Sequence, residues 1–390
     1  MVARPALDRC PGLQRPFDAA DGAILRARVP GGRIALAALD IFLAAGERWG
    51  APIVQLTSRA NLQIRALPSP IPPELADAVV ATGWFPSVSH ERARNVLASP
   101  TARDLGPMVA ALDEQIMDRP ALAQLPGRFL FLVTDEAGLG LTAPWDLAWQ
   151  RLGGPGLGEQ GRVLARLGRG EVVGMPGAPA DAAATLAGLA QTFLAVRPEG
   201  AWNVRDLPPG SAALAAVTAG MSPVQLSSVQ LAQAATLAPG PVPGSAGVEA
   251  AAGPDLVVGL PLGQLDRAQL GALQAITEEV VATPWRSLLV PGGAAYRNAL
   301  SAVGLVVDPA DPWAHLSACT GSPWCHNGRS PVVALAHETV AGLRGTGAAA
   351  TGHVHLVGCE RHCGASRSDV VLECPEDTAA VLAVLVGGRS

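Results

Sequence analysis

Four of the six cysteines fall in two short pairs near the C-terminal end of the chain. Cys319 and Cys325 form C-x5-C, and Cys359 and Cys363 form C-x3-C, with 33 residues between the pairs. Gly321 and Pro323 bend the first loop, and Gly358 and Gly364 flank the second pair. Short bent loops can bring four thiolates around one small volume, which is what a cubane iron–sulfur cluster requires. Two other readings stay open on spacing alone. Structural zinc is one, although its pairs usually follow a shorter C-x2-4-C spacing. Unrelated buried thiols are the other, because Cys is among the most buried residue types. A c-type haem is excluded, since Cys325-His326 lacks a cysteine three residues upstream. Cys10 and Cys374 have no partner at ligand spacing and read as structural.

Histidines crowd the same region: His326, His353, His355 and His362. His353 and His355 share one face of a predicted strand. They are candidates to ligate a second iron or to orient a proton, while a structural or solvated role is the plainer reading of each. Asp135 and Glu136 read as ordinary loop carboxylates.

The elements that must position these groups follow a pattern that occurs twice. A strand over Ala23–Val29 ends at Pro30-Gly31-Gly32. A helix follows from about Arg33 to Trp49, with Ile34, Ala38, Ile41, Phe42, Ala45 and Trp49 as its buried stripe and Gly50 as its cap. Two strands, Ile53–Leu56 and Leu62–Ala66, complete a βαββ unit, half of a ferredoxin-like sheet. Helices over Ile71–Ala81 and Pro107–Met117 and a strand over Arg128–Val133 come next. The βαβ pattern then returns as a strand (Asp255–Leu260), a helix (Asp266–Ala282) and a strand (Trp285–Val290). Gly352–Val357 has the form of Gly127–Leu132, and Leu316–Gly321 sits upstream of one as Arg94–Pro100 does of the other. These repeats point to an internal duplication. Pro208–Gly253, rich in Pro, Gly, Ala and Ser, reads as a linker or insertion, with an Ala-rich helix around Val224–Leu237 as the alternative for its middle.

Bulk composition sets the limits. The 390 residues are 49% hydrophobic and 16% charged, so the chain can build a sizeable core and is not a disordered one. Its net charge of −5 gives no reason to expect a nucleic-acid partner. All 28 basic residues are Arg, so an Arg by itself marks a site weakly. Met1–Cys10 has no apolar h-region, and no secretory signal is expected. The longest uncharged stretch, Gly210–Val248, is broken by Pro, Gly, Ser and Gln, so no membrane span is expected. A cytoplasmic location is expected, and with it an absence of structural disulfides. Gly345-Thr-Gly347-Ala-Ala-Ala350 matches G-x-G-x-x-A but follows a helix and precedes a strand, the reverse of the dinucleotide-binding context.

The C-x5-C and C-x3-C pairs resemble the cluster motif of the sulfite/nitrite reductase family. The run Leu56-Thr57-Ser58-Arg59-Ala60-Asn61-Leu62-Gln63-Ile64-Arg65 is similar to that family's ferredoxin-like half-domain. The resemblance covers nearly the whole chain except its Pro/Gly/Ala-rich middle. It implies an internally duplicated α+β fold: two ferredoxin-like half-domains plus two sulfite-reductase-type sirohaem-binding α+β units. The expected segments are 1–69 (first half), 70–205 (first sirohaem-binding-type unit), 206–253 (linker or insertion), 254–297 (second half) and 298–390 (second unit, with the cysteines).

The same resemblance implies that Cys319, Cys325, Cys359 and Cys363 hold a [4Fe–4S] cluster, and that Cys363 matches the thiolate that also bridges to sirohaem iron in the reductases. It implies that Arg59, Arg94 and Arg128 hold a tetrapyrrole's carboxylates, for which a guanidinium fork is well suited. Arg65 and Arg92 are further candidates. The family's second basic position at the Arg128 strand is Leu130 here, which disfavours reduction of a small anion. The opening Cys10-Pro11-Gly12-Leu13-Gln14-Arg15-Pro16 looks like a branch of the family that acts in aerobic cobalamin biosynthesis. That branch hydroxylates precorrin-3A with O₂ and closes a lactone from an acetate side chain. The implied second centre is sirohaem or a mononuclear non-haem iron. The implied electron source is external, a ferredoxin or an NAD(P)H-dependent reductase. The alternative activity is assimilatory sulfite or nitrite reduction with sirohaem.

Overall fold

The computed structural model describes residues 8–153, 160–226, 244, 246–250, 253–350, 352–365 and 370–387. In chain order, β1 (Phe17–Ala19), β2 (Gly22–Ala27) and β3 (Arg33–Ala35) lead into α1 (Leu36–Trp49), β4 (Val54–Leu56), β5 (Leu62–Leu67) and α2 (Pro73–Val80). Then come β6 (Val96–Ala98), α3 (Gly106–Met117), β7 (Phe131–Thr134), β8 (Leu147–Arg151), β9 (Gly161–Arg166) and β10 (Val172–Pro176). They are followed by α4 (Pro179–Val196), α5 (Ala212–Val217) and β11 (Ser222–Pro223). The next elements are β12 (Ala246–Ala250), β13 (Gly253–Gly259), β14 (Gln264–Leu265), α6 (Arg267–Gln274), β15 (Glu279–Ala282) and β16 (Ser287–Val290). The chain ends with α7 (Arg297–Ala302), β17 (Leu316–Ala318), α8 (Val332–Thr346), β18 (Val354–Val357), β19 (Val370–Glu373) and α9 (Thr378–Gly387). This is the mixed α+β class expected from the sequence. Among the described residues, no helix is long and apolar enough to cross a membrane.

The chain divides into two compact units. The first comprises Met1–Arg15, Ala27–Arg33 and Trp84–Thr236, and the second Pro16–Arg26, Ile34–Gly83 and Leu237–Ser390. In the first unit one sheet runs β11-β10-β9-β8-β7-β6. Its β6-β7-β8 portion is parallel and the rest antiparallel. The inward residues Phe131, Val133, Leu147 and Trp149 pack with Leu112 and Ile116 of α3 and Leu186, Ala190 and Phe193 of α4 in one apolar cluster. Phe129 completes it, edge-on to Phe131 and tilted against Phe193, both at 5.2 Å.

The second unit holds two five-stranded sheets with the same plan, β1-β2-β5-β4-β14 and β12-β13-β16-β15-β3. Each ends on the short strand that precedes the other half's helix: β14 pairs with β4, and β3 lies beside β15. A three-stranded parallel sheet, β17-β18-β19, follows in this unit. Leu335, Ala336, Val340 and Leu343 of α8 and Val381 and Leu385 of α9 pack with its Leu316, Val354 and Leu356.

Several sequence expectations are corrected. The buried stripe of α1 is Leu36, Leu39, Phe42, Leu43, Ala45 and Gly46, while Ile41 is 38% exposed. The helix expected to run to Ala282 stops at Gln274, and Val280 lies in β15. The β-branched run Val280-Val281 favours the strand, and the Glu278 carbonyl accepts from the Leu36 N–H (2.8 Å). The strand expected over Arg128–Val133 begins only at Phe131. Phe129 N–H turns back to the Pro126 carbonyl, and Leu130 N–H donates to the Asp146 carboxylate (2.9 Å). The Pro/Gly/Ala-rich stretch carries α5 and β11 at one end and β12 at the other; most of the Val224–Leu237 helix alternative lies outside the described residues.

Asp146, fully buried between Trp145 and Trp149, ties the 203–206 turn to the first unit's sheet. It accepts from Leu130 N–H, Val204 N–H and Asn203 Nδ2 (each 2.9 Å). Burial pushes its carboxyl up from 3.8 to about 6, against the lowering effects of Arg205 and those three donors. The folded state thus holds a proton that the unfolded chain releases between about pH 4 and 6. The stability this gives is full below that window, is lost as pH rises through it, and amounts to about 3 kcal/mol. In urea unfolding, wild type minus Asp146→Asn should fall by about that much from pH 4 to pH 6.5. A flat or rising difference would refute the assignment.

Candidate metal centre

Parallel pairing brings the two cysteine pairs to one edge. β17 and β18 are neighbours, with Leu316 opposite Val354 and Ala318 opposite Leu356. Cys319 follows β17 directly and continues the ladder, its N–H donating to the Leu356 carbonyl (2.9 Å). Cys359 stands two residues past the end of β18. Both therefore leave the carboxyl ends of adjacent parallel strands, where ligand crevices form in such sheets.

Glycine lets the two loops touch. A Cβ on Gly328 would meet the Gly321 carbonyl carbon and Ser322 N at 2.5 Å, and one on Gly358 would meet Gly321 Cα at 3.1 Å. Gly321 itself has φ +63°, and a Cβ there would run into Val332 and Ser330. The turn is closed by Ser322 N–H to the Ser330 carbonyl (2.9 Å) and Gly328 N–H to the Cys325 carbonyl (2.8 Å).

The thiols act on one another. Burial pushes the Cys363 thiol up first, and Cys319, Cys359 and Cys325 add to the rise. Burial also raises Cys319, with Cys359 and Cys325 contributing, while the N–H groups of Gly358 and Gly321 oppose it. The Gly358 N–H lies 3.3 Å from Cys319 Sγ. Two backbone donors aimed at one sulfur suit a thiolate far better than a thiol. Cys359 is buried, Cys319 and Cys325 half-buried and Cys363 exposed as a residue.

Among the described residues, no group of three or more His, Cys, Asp or Glu side chains is placed to hold a single metal ion. A cubane makes a different demand, because each thiolate meets a different iron and the four sulfurs stand wider apart than the ligands of one ion. The donor set, four thiols and no carboxylate among them, fits such a cluster.

The histidines divide. His355 is fully buried in β18. Its Nε2 lies 3.0 Å from the Cys363 carbonyl and its Nδ1 2.7 Å from the Ser317 hydroxyl. A carbonyl only accepts, so Nε2 carries the proton and the Ser317 hydroxyl donates to Nδ1. Both ring nitrogens are thereby used in clamping the second cysteine loop. His362, half-exposed, pairs with Glu373 (3.0 Å), and His326 is exposed. Cys374 was missed as a site neighbour. Its N–H bonds the Val357 carbonyl (2.7 Å) and its thiol the Gly358 carbonyl (3.1 Å), so it braces the loop that carries Cys359. Only the pairing of β18 with β19 reveals this.

The arginines differ in what they offer. Arg59 lies in the second unit, half-buried in the turn Thr57–Asn61, whose Thr57 hydroxyl accepts from Asn61 N–H (3.2 Å). Arg94 and Arg128 lie in the first unit. Arg94 is buried, bound through Nε and Nη2 to Asp113 (2.8 and 2.6 Å) and through Nη1 to the Trp84 carbonyl (2.8 Å). Its neighbour Asn95 donates to the carbonyls of Gly127 and Phe129, on either side of Arg128. Arg128 is exposed, its guanidinium 5.8 Å from the centre of the Trp202 ring. Asn95 thus braces the backbone on either side of the exposed Arg128, while Arg94 is held by Asp113 and Trp84.

No family model matches the chain. The fold is similar to that of the NirA protein of Mycobacterium tuberculosis, with a TM-score of 0.59 at 18% identity, over 88% of this chain and 69% of that one. A stretch of 78 residues is 35% identical to a precorrin-3B synthase of Sinorhizobium sp. That stretch is 20% of this chain and 17% of the relative. Both findings fit the resemblance drawn from the motifs.

Proposed function

We propose that the chain is an oxidoreductase that hydroxylates a tetrapyrrole, precorrin-3A, with O₂ and closes its lactone to give precorrin-3B. The observation that carries the reading is the parallel pairing of β17 and β18, which brings the C-x5-C and C-x3-C loops to one carboxyl edge. When bound there, a [4Fe–4S] cluster supplies electrons singly. Cys319, Cys325, Cys359 and Cys363 would hold it, with Gly358 and Gly321 N–H groups stabilising the Cys319 thiolate and His355 fixing the Cys363 loop. Cys363, the exposed member, would help hold the second iron that the resemblance implies, either sirohaem or a mononuclear centre. Arg59 and Arg128 would hold the substrate's carboxylates, while Arg94 is engaged by Asp113 and the Trp84 carbonyl. One oxygen atom enters the substrate and the other leaves as water, which takes two electrons and two protons from an external donor. A ferredoxin or an NAD(P)H-dependent reductase would fill that role, because Gly347 of the G-x-G-x-x-A match is the left-handed cap of α8 (φ +68°) and no phosphate loop.

The NirA-like fold favours a second reading, sulfite or nitrite reduction with sirohaem. Against it stands Leu130, fully buried in the first unit's core where a small-anion site would need a second basic side chain. The two are separated by one experiment. The chain is reconstituted anaerobically with iron and sulfide, reduced, and given O₂ and precorrin-3A. A mass gain of one oxygen atom is expected, and Arg59→Ala and Arg128→Ala should weaken tetrapyrrole binding about 10-fold each, in keeping with loss of a charged hydrogen-bond donor. An unchanged tetrapyrrole together with turnover of sulfite or nitrite would overturn the proposal.

A further inference from the structure

We infer that Arg65 is a positioning residue that sets the span between Cys319 and Cys325. The inference rests on the cluster reading above. Arg65 is on β5, far from the cysteines in sequence, and its side chain is 7% exposed. Nη1 donates to Thr320 Oγ1 (2.8 Å), and Nη2 donates to the Trp324 carbonyl (3.1 Å). Thr320 directly follows Cys319, and Trp324 directly precedes Cys325. One guanidinium therefore touches the loop just inside both cysteines. Its plane is rigid and its donors diverge at fixed angles, so it holds the two ends at a fixed separation.

The anchor is equally firm. Nε and Nη2 also donate to the two Asp21 oxygens (2.7 and 2.9 Å), a bidentate pair in which Asp21 is 11% exposed. Asp21 sits in the β1–β2 turn beside Gly22, where a Cβ would meet the Leu67 carbonyl at 2.7 Å. That close approach of β2 and β5 leaves the pair little room to shift. Four of the five guanidinium donors are thus engaged by protein groups, which suits a brace and not a substrate ligand. The charge matters as well. With Arg65 in place the pair is neutral; without it, Asp21 keeps an uncompensated charge on a side chain only 11% exposed, and a cluster held by the loop that Arg65 braces would gain another on reduction.

The full chain, reconstituted anaerobically, provides the test. Iron and acid-labile sulfide are counted, loss of visible absorbance is timed after addition of an iron chelator, and the reduction potential is measured by dye titration. Arg65→Gln should lose its iron about 10-fold faster or more, as when a partner of a metal ligand is removed, and its potential should fall. Arg65→Gln with Asp21→Asn should restore the potential but not the retention; a purely structural role would leave the potential unmoved in both. Thr320→Val, which deletes one contact, should lose iron at an intermediate rate, and it decides the matter should Arg65→Gln fail to fold. Folded Arg65→Gln and Thr320→Val proteins with wild-type retention and potential would overturn the inference and leave the cluster reading standing. A wild-type chain that takes up neither iron nor sulfide would overturn both.

Discussion

Cys319→Ser protein should come out of anaerobic reconstitution with iron and acid-labile sulfide reduced to a small fraction of wild type, and with no turnover. Cys319 is the sulfur at which most of the site's preparation converges. It continues the β17 ladder onto β18, it accepts from Gly358 N–H, and burial with Cys359 and Cys325 nearby pushes its thiol up. A serine oxygen in that place is a hard donor in a set suited to soft metal. The same measurement on Cys10→Ser should match wild type, since Cys10 belongs to the first unit and its N–H bonds Asp8. Cys374→Ser should keep most of its iron, because a hydroxyl can still donate to the Gly358 carbonyl. Equal iron in Cys319→Ser and wild type would remove Cys319 from the ligand set.

Arg94→Ala should have the largest effect on stability, about 3–5 kcal/mol, because it strands a largely buried carboxylate. The Arg94 side chain is 6% exposed and that of Asp113 14%, and the pair is bidentate. Removing both partners, Arg94→Ala with Asp113→Ala, should cost less than the single change. Urea unfolding of wild type and the three variants measures this directly. A small cost for Arg94→Ala, below about 1 kcal/mol and typical of a surface pair, would return Arg94 to the group of ligand-binding arginines, where loss of tetrapyrrole affinity would be its signature.

The two cysteine loops were legible because each pair lies on one short turn, and such turns are local. The βαβ repeats were legible for the same reason, since each rests on the periodicity of a single segment. What was lost lay in pairing between segments. The sequence comparison aligned Gly127–Leu132 with Gly352–Val357, whereas the ladders set Phe131 opposite Val96 and Val354 opposite Leu316. The bond from Cys319 N–H to Leu356 therefore has its counterpart in Ser99 N–H to Val133 (3.0 Å), two residues from the position expected. Arg94 looked like a ligand contact because its partner Asp113 lies on another element, one helix away. Arg65 stood as a further candidate for binding carboxylates, and nothing near it in the chain announces Thr320 or Trp324 as its partners. The helix that was extended to Ala282 failed at Thr277-Glu278, where apolar spacing alone does not separate a last turn from a first strand residue.

The exchange of β3 and β14 has a bearing on how the chain must be made. The β4 edge of the first sheet receives β14, more than two hundred positions later in the sequence, and the second sheet in turn receives β3 from near the N-terminus. During synthesis the early half emerges with an open hydrogen-bonding edge and must wait for the late half. Edges left open in this way invite pairing with other chains. The ferredoxin-like halves are therefore interlocked, and neither could be borrowed alone as a module: a gene cut between them would yield two sticky fragments that become sound only when they meet again.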